Sequence, residues 1–371
     1  MPRIALIDGA TGFVGSNLAA SMSEAGRRVV ALVRKDPDEA RAAIEDAVVR
    51  RGRRDSLETL EIVQFDLERD DLGLADGTPM LGDEPVDYWH LAANVNFRPG
   101  NQDLVLGVNV GGTRRTLDWC IANLPEGSRY HFASTAYVCG LDGYQPVERW
   151  LDVEPPSHFR NFYEYSKRVA ELDARTAMTE RGLSATIHRL GQIVGDSETG
   201  NATTDYGLYN LVRAVWAVAR RRPGEHVRIE GDPAANLHLV PIDACVDWMT
   251  AIADATTRPD VPIFHVVDSA PVASSRIAEA IGRHLSLTVE IAPPEAFVAH
   301  PATLLERIVA ARISYTGDYL AQPFTFGRAH LEQLIGSGPA ALTDASLQRI
   351  IGSLIESLER GAREVAIPTR A

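Results

Sequence analysis

A doubly wound parallel α/β sheet is the fold class predicted by the sequence, and two patterns predict it. The first is a short apolar run, Ile4 to Ile7, that ends in the glycine turn Asp8-Gly9-Ala10-Thr11-Gly12-Phe13-Val14-Gly15. Leu18, Ala19 and Met22 then recur at helical spacing. The second is the alternation, over the first two-thirds of the chain, of near-continuous apolar runs with amphipathic ones. Strands buried on both faces and joined by right-handed helical crossovers have this pattern. With 371 residues the chain is long enough for one large domain or a domain with a smaller appendage.

Taken in order, strands are expected at residues 4–7, 29–33, 60–65, 86–90, 130–133 and 185–189, with helices at 16–25, 38–50, 108–123 and 163–181. Beyond about residue 195 the rhythm loosens. A polar loop, Gly195-Asp196-Ser197-Glu198-Thr199-Gly200-Asn201, precedes a helical run over 208–222. One more buried strand is expected at 263–267, and short helices include 329–335 and 346–358. The expected division is a sheet domain over 1–195, with strands added from about 235–270, and a smaller, mostly helical substrate region over 196–371.

Composition excludes several classes. Apolar residues make up 45% and charged residues 23%, ordinary for a globular protein. A formal charge of −13 argues against nucleic acid as a partner, which would want a basic surface. No apolar run approaches the roughly 18 residues of a membrane span, and with a core strand expected from position 3 or 4 no signal peptide is expected. Cys120, Cys139 and Cys245 are odd in number and widely spaced, so they read as reduced interior thiols rather than a disulfide or zinc set. The expected compartment is the cytoplasm, with no metal. Arg50-Arg51-Gly52-Arg53-Arg54 is read as a solvated loop.

The turn carries the first chemistry. A strand that runs into a glycine turn opening a helix holds a dinucleotide pyrophosphate against the helix N-terminus. Gly9 permits the tight turn, Gly12 lets the backbone approach the phosphates, and Gly15 lets the helix pack close. Thr11 lies within the cradle, and the amides of Phe13 and Val14 are available to an anion. After the second strand, where NAD-specific sites place an acid, stand Arg34 and Lys35, with Arg41 in the next helix. Cations there attract a 2′-phosphate, so NADPH is expected in preference to NADH. Asp66-Leu67 after the third strand suits an acceptor for the adenine amino group. Ala92 and Ala93 after the fourth allow backbone to lie along the cofactor, whereas His90 reads as a core histidine.

Tyr163 and Lys167, at i and i+4, share one helical face, where an ammonium lowers a phenol's pKa and makes it a usable acid or base. Combined with the glycine turn, this pair points to nicotinamide-dependent hydride transfer. Ser134 and Thr135 bring two hydroxyls to the carboxyl end of the fifth strand, the crevice side of such a sheet.

By these residues the chain resembles the extended short-chain dehydrogenase/reductases over roughly residues 3–250. The matching stretches are Gly9 to Gly15, His90-Leu91-Ala92-Ala93, Asn109-Val110-Gly111-Gly112-Thr113, Ser134-Thr135, Tyr163 with Lys167, and Val240-Pro241-Ile242-Asp243. The resemblance implies Thr135, Tyr163 and Lys167 as the reacting set and Asn109 as a supporting asparagine. It also implies Asn94, Ser134, Tyr163, Lys167 and Gly191 among the cofactor contacts. A narrower resemblance, to the thioester reductase branch, rests on several longer stretches. They are the turn continued through Ser16-Asn17-Leu18, Ala31-Leu32-Val33-Arg34, Asn94-Val95-Asn96-Phe97, Ser134 to Val138, Asn161 to Lys167, Ile193 to Gly200, and Pro323-Phe324-Thr325-Phe326. That branch includes the terminal reductase domains of nonribosomal peptide synthetases and carboxylic acid reductases.

Two departures stand out: Leu190 replaces the usual proline, and Cys139 interrupts the usual Tyr-Gly ending. Asp55-Ser56-Leu57 superficially looks like a phosphopantetheine attachment site, but its charged surroundings count against it. The expected activity is NADPH-dependent reduction of an acyl thioester, small or carrier-bound, or of the derived carbonyl. A ketone or aldehyde reductase, a nucleotide-sugar epimerase or dehydratase, and a non-catalytic NADP-binding protein are the alternatives. Specificity is expected to lie in the Gly195–Asn201 loop and after Pro271.

Overall fold

A computed structural model describes residues 3–34, 36–50, 57, 59–74, 81–145, 147–219, 224–255 and 260–366. Lys35, Arg51 to Arg54, Asp55 and Ser56, and the end of the expected 208–222 helix therefore lie outside the described residues. The chain divides into two compact units. The first comprises 1–191, 243–267 and 326–338, and the second 192–242, 268–325 and 339–371.

The first unit is built on a seven-stranded parallel sheet: β1 (Ile4–Asp8), β2 (Val29–Val33), β3 (Leu60–Gln64), β4 (Val86–His90), β5 (Arg129–Thr135), β6 (Ala185–Leu190) and β7 (Ile263–Val266). Their spatial order is β7-β6-β5-β4-β1-β2-β3. β1 lies between β2 and β4, so the chain reverses direction across the sheet there. This reversal opens the crevice in which doubly wound folds take their ligands.

Strands β1, β2, β4, β6 and β7 are buried at every position. Period-two alternation sorts their side chains onto two faces. On one, Ile4, Leu6, Val30, Leu32, Tyr88, Tyr130, Phe132 and Ile187 form a continuous core, with Tyr88 and Tyr130 stacked at 5.6 Å. On the other, Trp89 stacks on His131 at 4.1 Å, and His131 Nδ1 lies 3.1 Å from His188 Nε2.

Helices α1 (Phe13–Glu24), α2 (Pro37–Arg50), α3 (Gln102–Leu106), α4 (Gly112–Asn123) and α5 (Phe162–Arg181) follow their strands. The single helix expected over 108–123 proves to be two pieces, because residues Gly107–Gly111 form a π-turn that joins α3 to α4. Helix α5 starts on Asn161, whose side chain accepts from Glu164 N, and ends on Gly182 at φ 72°. A left-handed C-cap of this kind favours glycine.

The second unit is less helical than its sequence pattern predicts. His226–Glu230 pairs in parallel with Thr288–Ala292, and Gln192–Val194 with Leu239–Pro241. Helices Leu208–Ala219, Ser274–Leu285, Leu304–Arg312 and Asp344–Ala366 pack around these short ladders. The last runs well past the expected 346–358.

Candidate active site

The glycine turn is built around close approaches. Gly9 has φ 62°, and a Cβ on it would meet Ala92 N at 2.6 Å. A Cβ on Gly15 would meet Gly9 O at 2.2 Å, which is why α1 can begin directly under the turn. Gly12 caps α1 without any side-chain hydrogen bond, and the first helical turn carries no acidic residue. Gly12 is exposed, and Thr11, Phe13 and Val14 are half-buried. This uncapped helix start with an open approach fits the pyrophosphate of a dinucleotide.

Asp8, a residue that sequence reasoning treated only as part of the turn, ties this cradle together. It is fully buried at the end of β1. Its Oδ1 accepts from Leu91 N and Ala92 N, both at 2.7 Å, and its Oδ2 accepts from the Tyr88 hydroxyl at 2.9 Å. His90 Nδ1 lies 2.5 Å from Oδ2, and His90 Nε2 lies 3.0 Å from Thr113 Oγ1. His90 is therefore a buried structural residue. Ala92, Ala93 and Asn94 follow it, half-buried.

At the far end of β2, Arg34 is exposed, while Arg41 donates to Leu60 O at 3.2 Å. Asp66 commits one carboxylate oxygen to Glu68 N at 2.9 Å. Leu67 is buried against α4, where a Cβ on Gly112 would come within 2.7 Å of its side chain. Leu67 therefore packs as core. Gly191 N donates to Val266 O at 3.0 Å, closing the end of β6.

Asn109 sits in the π-turn and is buried. Its Oδ1 accepts from Asn94 N at 2.7 Å, and its Nδ2 donates to Asn94 O at 3.1 Å and Ser166 Oγ at 2.9 Å. Ser166 in turn donates to Tyr163 O at 2.7 Å. One asparagine thus joins the loop after β4 to the helix that carries Tyr163 and Lys167. Its i→i+5 turn is a local irregularity of a kind often found at functional sites.

Tyr163 is half-buried beside the Phe97 ring, with centroids 5.7 Å apart. Burial, with Glu164 adding to it, pushes its phenol well above the usual range. The expected depression by Lys167 is absent here. The Lys167 ammonium instead donates to Ala133 O at 2.8 Å and lies 4.7 Å from the centre of the Phe132 ring. Burial lowers the Lys167 pKa to about 8, against opposing pulls from Asp8 and Glu171. A neutral phenol at pH 7 is equipped to give a proton rather than take one.

Thr135 ends β5, buried, with its hydroxyl 3.5 Å from Leu190 O and accepting from Tyr137 N at 3.3 Å. Ser134 departs from expectation. Side chains alternate along a strand, so it faces α5, and its hydroxyl donates to Glu171 at 2.6 Å instead of standing open to a cofactor. Cys139 is buried, which pushes its thiol up to about 11 and makes it a poor nucleophile.

In the second unit, the loop expected to bear on specificity is folded on itself. Asp196 Oδ1 accepts from Glu198 N and Thr199 N, and the loop binds the terminal helix through Arg349 to Ser197 O and Ser353 to Asn201. A cavity of about 480 Å³ in this unit is lined by Arg228, Pro293, Phe297, Glu306, Arg307 and Asp318 among others. Arg276 and Arg283 are paired with Asp344 and Glu279.

A glycine cradle fixed to the β4 end, with a Tyr–Lys helix tied to the same place through Asn109, fits the class that the family match supports, the NAD(P)-dependent oxidoreductases of the extended short-chain dehydrogenase/reductase type. More narrowly, the chain belongs to the NAD-binding family described as male sterility protein, matched over residues 7–249, and is thioester reductase-like. It is 27% identical over 290 residues to glycine betaine reductase ATRR of Emericella nidulans, covering 75% of this chain and 22% of that protein. It is 31% identical over 229 residues to isonitrile lipopeptide synthase of Streptomyces coeruleorubidus, covering 57% and 15%. The chain thus spans less than a quarter of the length of either relative. A dTDP-6-deoxy-L-talose 4-dehydrogenase of Kitasatospora kifunensis is 28% identical, with 72% and 71% covered. Among solved structures, the terminal R domain of the myxalamid PKS-NRPS pathway shares the fold with a TM-score of 0.75 at 24% identity, covering 96% of this chain and 91% of that one. Among the described residues, no helix is long and apolar enough to cross a membrane.

Proposed function

We propose that the protein is an NADPH-dependent reductase of an acyl thioester, or of the carbonyl derived from it, in a biosynthetic pathway. The observation that carries the reading is the placement of Tyr163 and Lys167 on one helix that is tied through Asn109 to the loop beyond the glycine cradle. A bound nicotinamide supplies a hydride to the carbonyl carbon. Tyr163 gives its proton to the carbonyl oxygen as charge develops there, and Thr135 donates a second hydrogen bond. Lys167 orients the cofactor ribose and, while charged, favours transfer of the phenol proton. With a thioester, the tetrahedral product breaks its C–S bond, releasing a thiol and an aldehyde. Further reduction to an alcohol consumes a second NADPH.

The glycine turn and the uncapped start of α1 would hold the pyrophosphate, and Arg34 would meet the 2′-phosphate. Thioester chemistry gains support from similarity to one protein named as a glycine betaine reductase and another named as an isonitrile lipopeptide synthase. The acyl group is then delivered by a carrier protein or by CoA. Three buried, unpaired cysteines fit a reducing cytoplasm.

The test is NADPH oxidation by the purified protein against a panel of acyl-CoAs, aldehydes, ketones and sugar nucleotides, with free thiol measured in parallel. Thiol appearing in step with NADPH loss is the expected result. Turnover of a ketone or sugar nucleotide with silence on every thioester overturns it and favours the kind of activity named for the talose dehydrogenase relative.

A further inference from the structure

Behind Thr135 lies a buried ion pair with no place in the proton-transfer scheme. Glu171 is one helical turn beyond Lys167 on α5, so Tyr163, Lys167 and Glu171 occupy one face at i, i+4 and i+8. In the ladder between β5 and β6, Ser134 pairs with Arg189 and Thr135 with Leu190. Ser134 and Arg189 are therefore cross-strand neighbours pointing towards α5, and both reach Glu171. Ser134 Oγ donates to Oε1 at 2.6 Å, Arg189 Nε to Oε1 at 3.0 Å, and an Arg189 terminal nitrogen to Oε2 at 2.7 Å. That nitrogen also donates to Arg149 O at 3.1 Å, and the other lies 3.3 Å from His265 Nε2. Glu171 and Arg189 are both essentially inaccessible to solvent.

A buried ion pair of this kind brings little net stability, and an apolar pair of similar volume often does as well. Its value here is geometric. The Thr135 hydroxyl makes only long contacts of its own, at 3.5 and 3.3 Å, so its place depends on the backbone just before it. Two side chains of α5 hold that segment: Lys167 donates to the backbone at Ala133 O, and Glu171 accepts from the Ser134 side-chain hydroxyl. When Lys167 turns to a cofactor ribose, the Ser134–Glu171 bond remains as the tether.

We propose that Glu171 and Arg189 are positioning residues for the reaction, fixing the Ser134–Thr135 strand tip against the helix that carries Tyr163 and Lys167. This rests on the reading of Thr135, Tyr163 and Lys167 as the reacting groups. The charges facing Glu171 are Arg189 on β6 and Lys167 and Arg168 on its own helix, with His265 of β7 behind Arg189. Its carboxylate also supports the charged state of Lys167, as does Asp8.

The experiment compares wild type with Ser134→Ala, Ser134→Thr and the double variant Glu171→Met/Arg189→Met. The double variant fills the same space without leaving an unpaired charge. Readouts are melting temperature, NADPH affinity, steady-state kinetics on the best carbonyl of the panel, and amide hydrogen exchange of residues 133–137 in the cofactor-free protein. The double variant is expected to melt and bind NADPH as wild type does, while kcat falls about 10- to 100-fold, as misplacement of a reacting group by an ångström does. KM stays unchanged, and exchange at 133–137 rises about tenfold. Ser134→Ala shows a smaller fall of the same kind, and Ser134→Thr restores it. Unchanged exchange with kcat at the wild-type level overturns the proposal. So does a parallel loss of melting temperature, binding and rate, which marks the pair as merely structural. If Tyr163→Phe keeps full activity, or wild type turns over nothing, the reading of the site fails instead, and the exchange measurement still decides whether the pair positions the strand tip.

Discussion

The two compact units bury charge for different ends. In the first, Asp8 accepts from backbone beside the glycine turn, Lys167 and Glu171 hold Ala133 O and the Ser134 hydroxyl next to Thr135, and Arg189 pairs with Glu171. In the second, Arg228 and Glu306 form a closed staple. Arg228 donates to Glu306 at 2.8 and 3.0 Å, to Ala296 O and His300 O, and stacks 4.6 Å from the Phe297 ring. Glu306 also completes a capping box with Thr303. Charge that surrounds a crevice should report in rate and affinity. Charge that pins a helix start should report in stability.

The sharpest way to break this contrast is Tyr163→Phe. The ring keeps its contact with Phe97 and loses only the proton donor, so turnover should fall about 100- to 10,000-fold. NADPH affinity and melting temperature should not move. More than a tenth of wild-type activity in a steady-state assay would remove Tyr163 from the role of acid.

Arg34→Asp comes next in size. Arg34 is exposed, so the fold should be indifferent to the change. A carboxylate facing a 2′-phosphate loses a charge-assisted hydrogen bond and gains repulsion, about 10- to 100-fold in NADPH affinity. NADH should be nearly unaffected. Fluorescence titration with both cofactors checks it, and equal losses would mean that Arg34 points away from the ribose.

Lys167 predicts a pH effect. Its pKa, lowered to about 8 by burial, means that the ammonium is lost as pH rises through that value. The ratio kcat/KM should therefore fall on the alkaline side with a limb near pH 8, because free-enzyme groups govern that ratio. A profile flat to pH 9.5 would mean that the charge of Lys167 is not needed.

The sequence predicts the two regions unequally, for a physical reason. The strands of the parallel sheet and the Tyr163–Lys167 helix announce themselves through patterns a few residues long, and these are nearly the elements observed. The π-turn at Asn109 escaped, because apolar spacing runs through 108–123 without a break and one extra residue per turn leaves no compositional mark. In sequence Asp8 is only part of a turn, because its partners, Leu91 and Ala92, arrive from a distant strand. Which way Ser134 faces follows only from its register with Arg189. In the second unit, His226–Glu230 and Thr288–Ala292 are short, half-exposed and distant in sequence. Neither resembles a buried parallel strand by itself.

The smallest expected effect tests the second unit alone. Arg228 holds the Glu306 carboxyl down at about 2, with the backbone amides of Thr303 and Arg228 helping against burial. An acid whose pKa is lower folded than unfolded contributes stability above its unfolded value, and loses that contribution as pH falls through the folded one. The Glu306 contribution should thus be complete near neutrality and disappear between about pH 4.5 and 2. Glu306→Gln keeps the shape and weakens the charge-assisted bonds, so it should cost about 1–3 kcal/mol at pH 7. In urea melts the gap between wild type and variant should narrow steadily below pH 4.5, while NADPH affinity at pH 7 stays the same. A gap that persists unchanged at pH 3 would show that the charge of Glu306 is not what holds the start of the Leu304–Arg312 helix. A loss of NADPH affinity would show that the two units do not divide their buried charges as described.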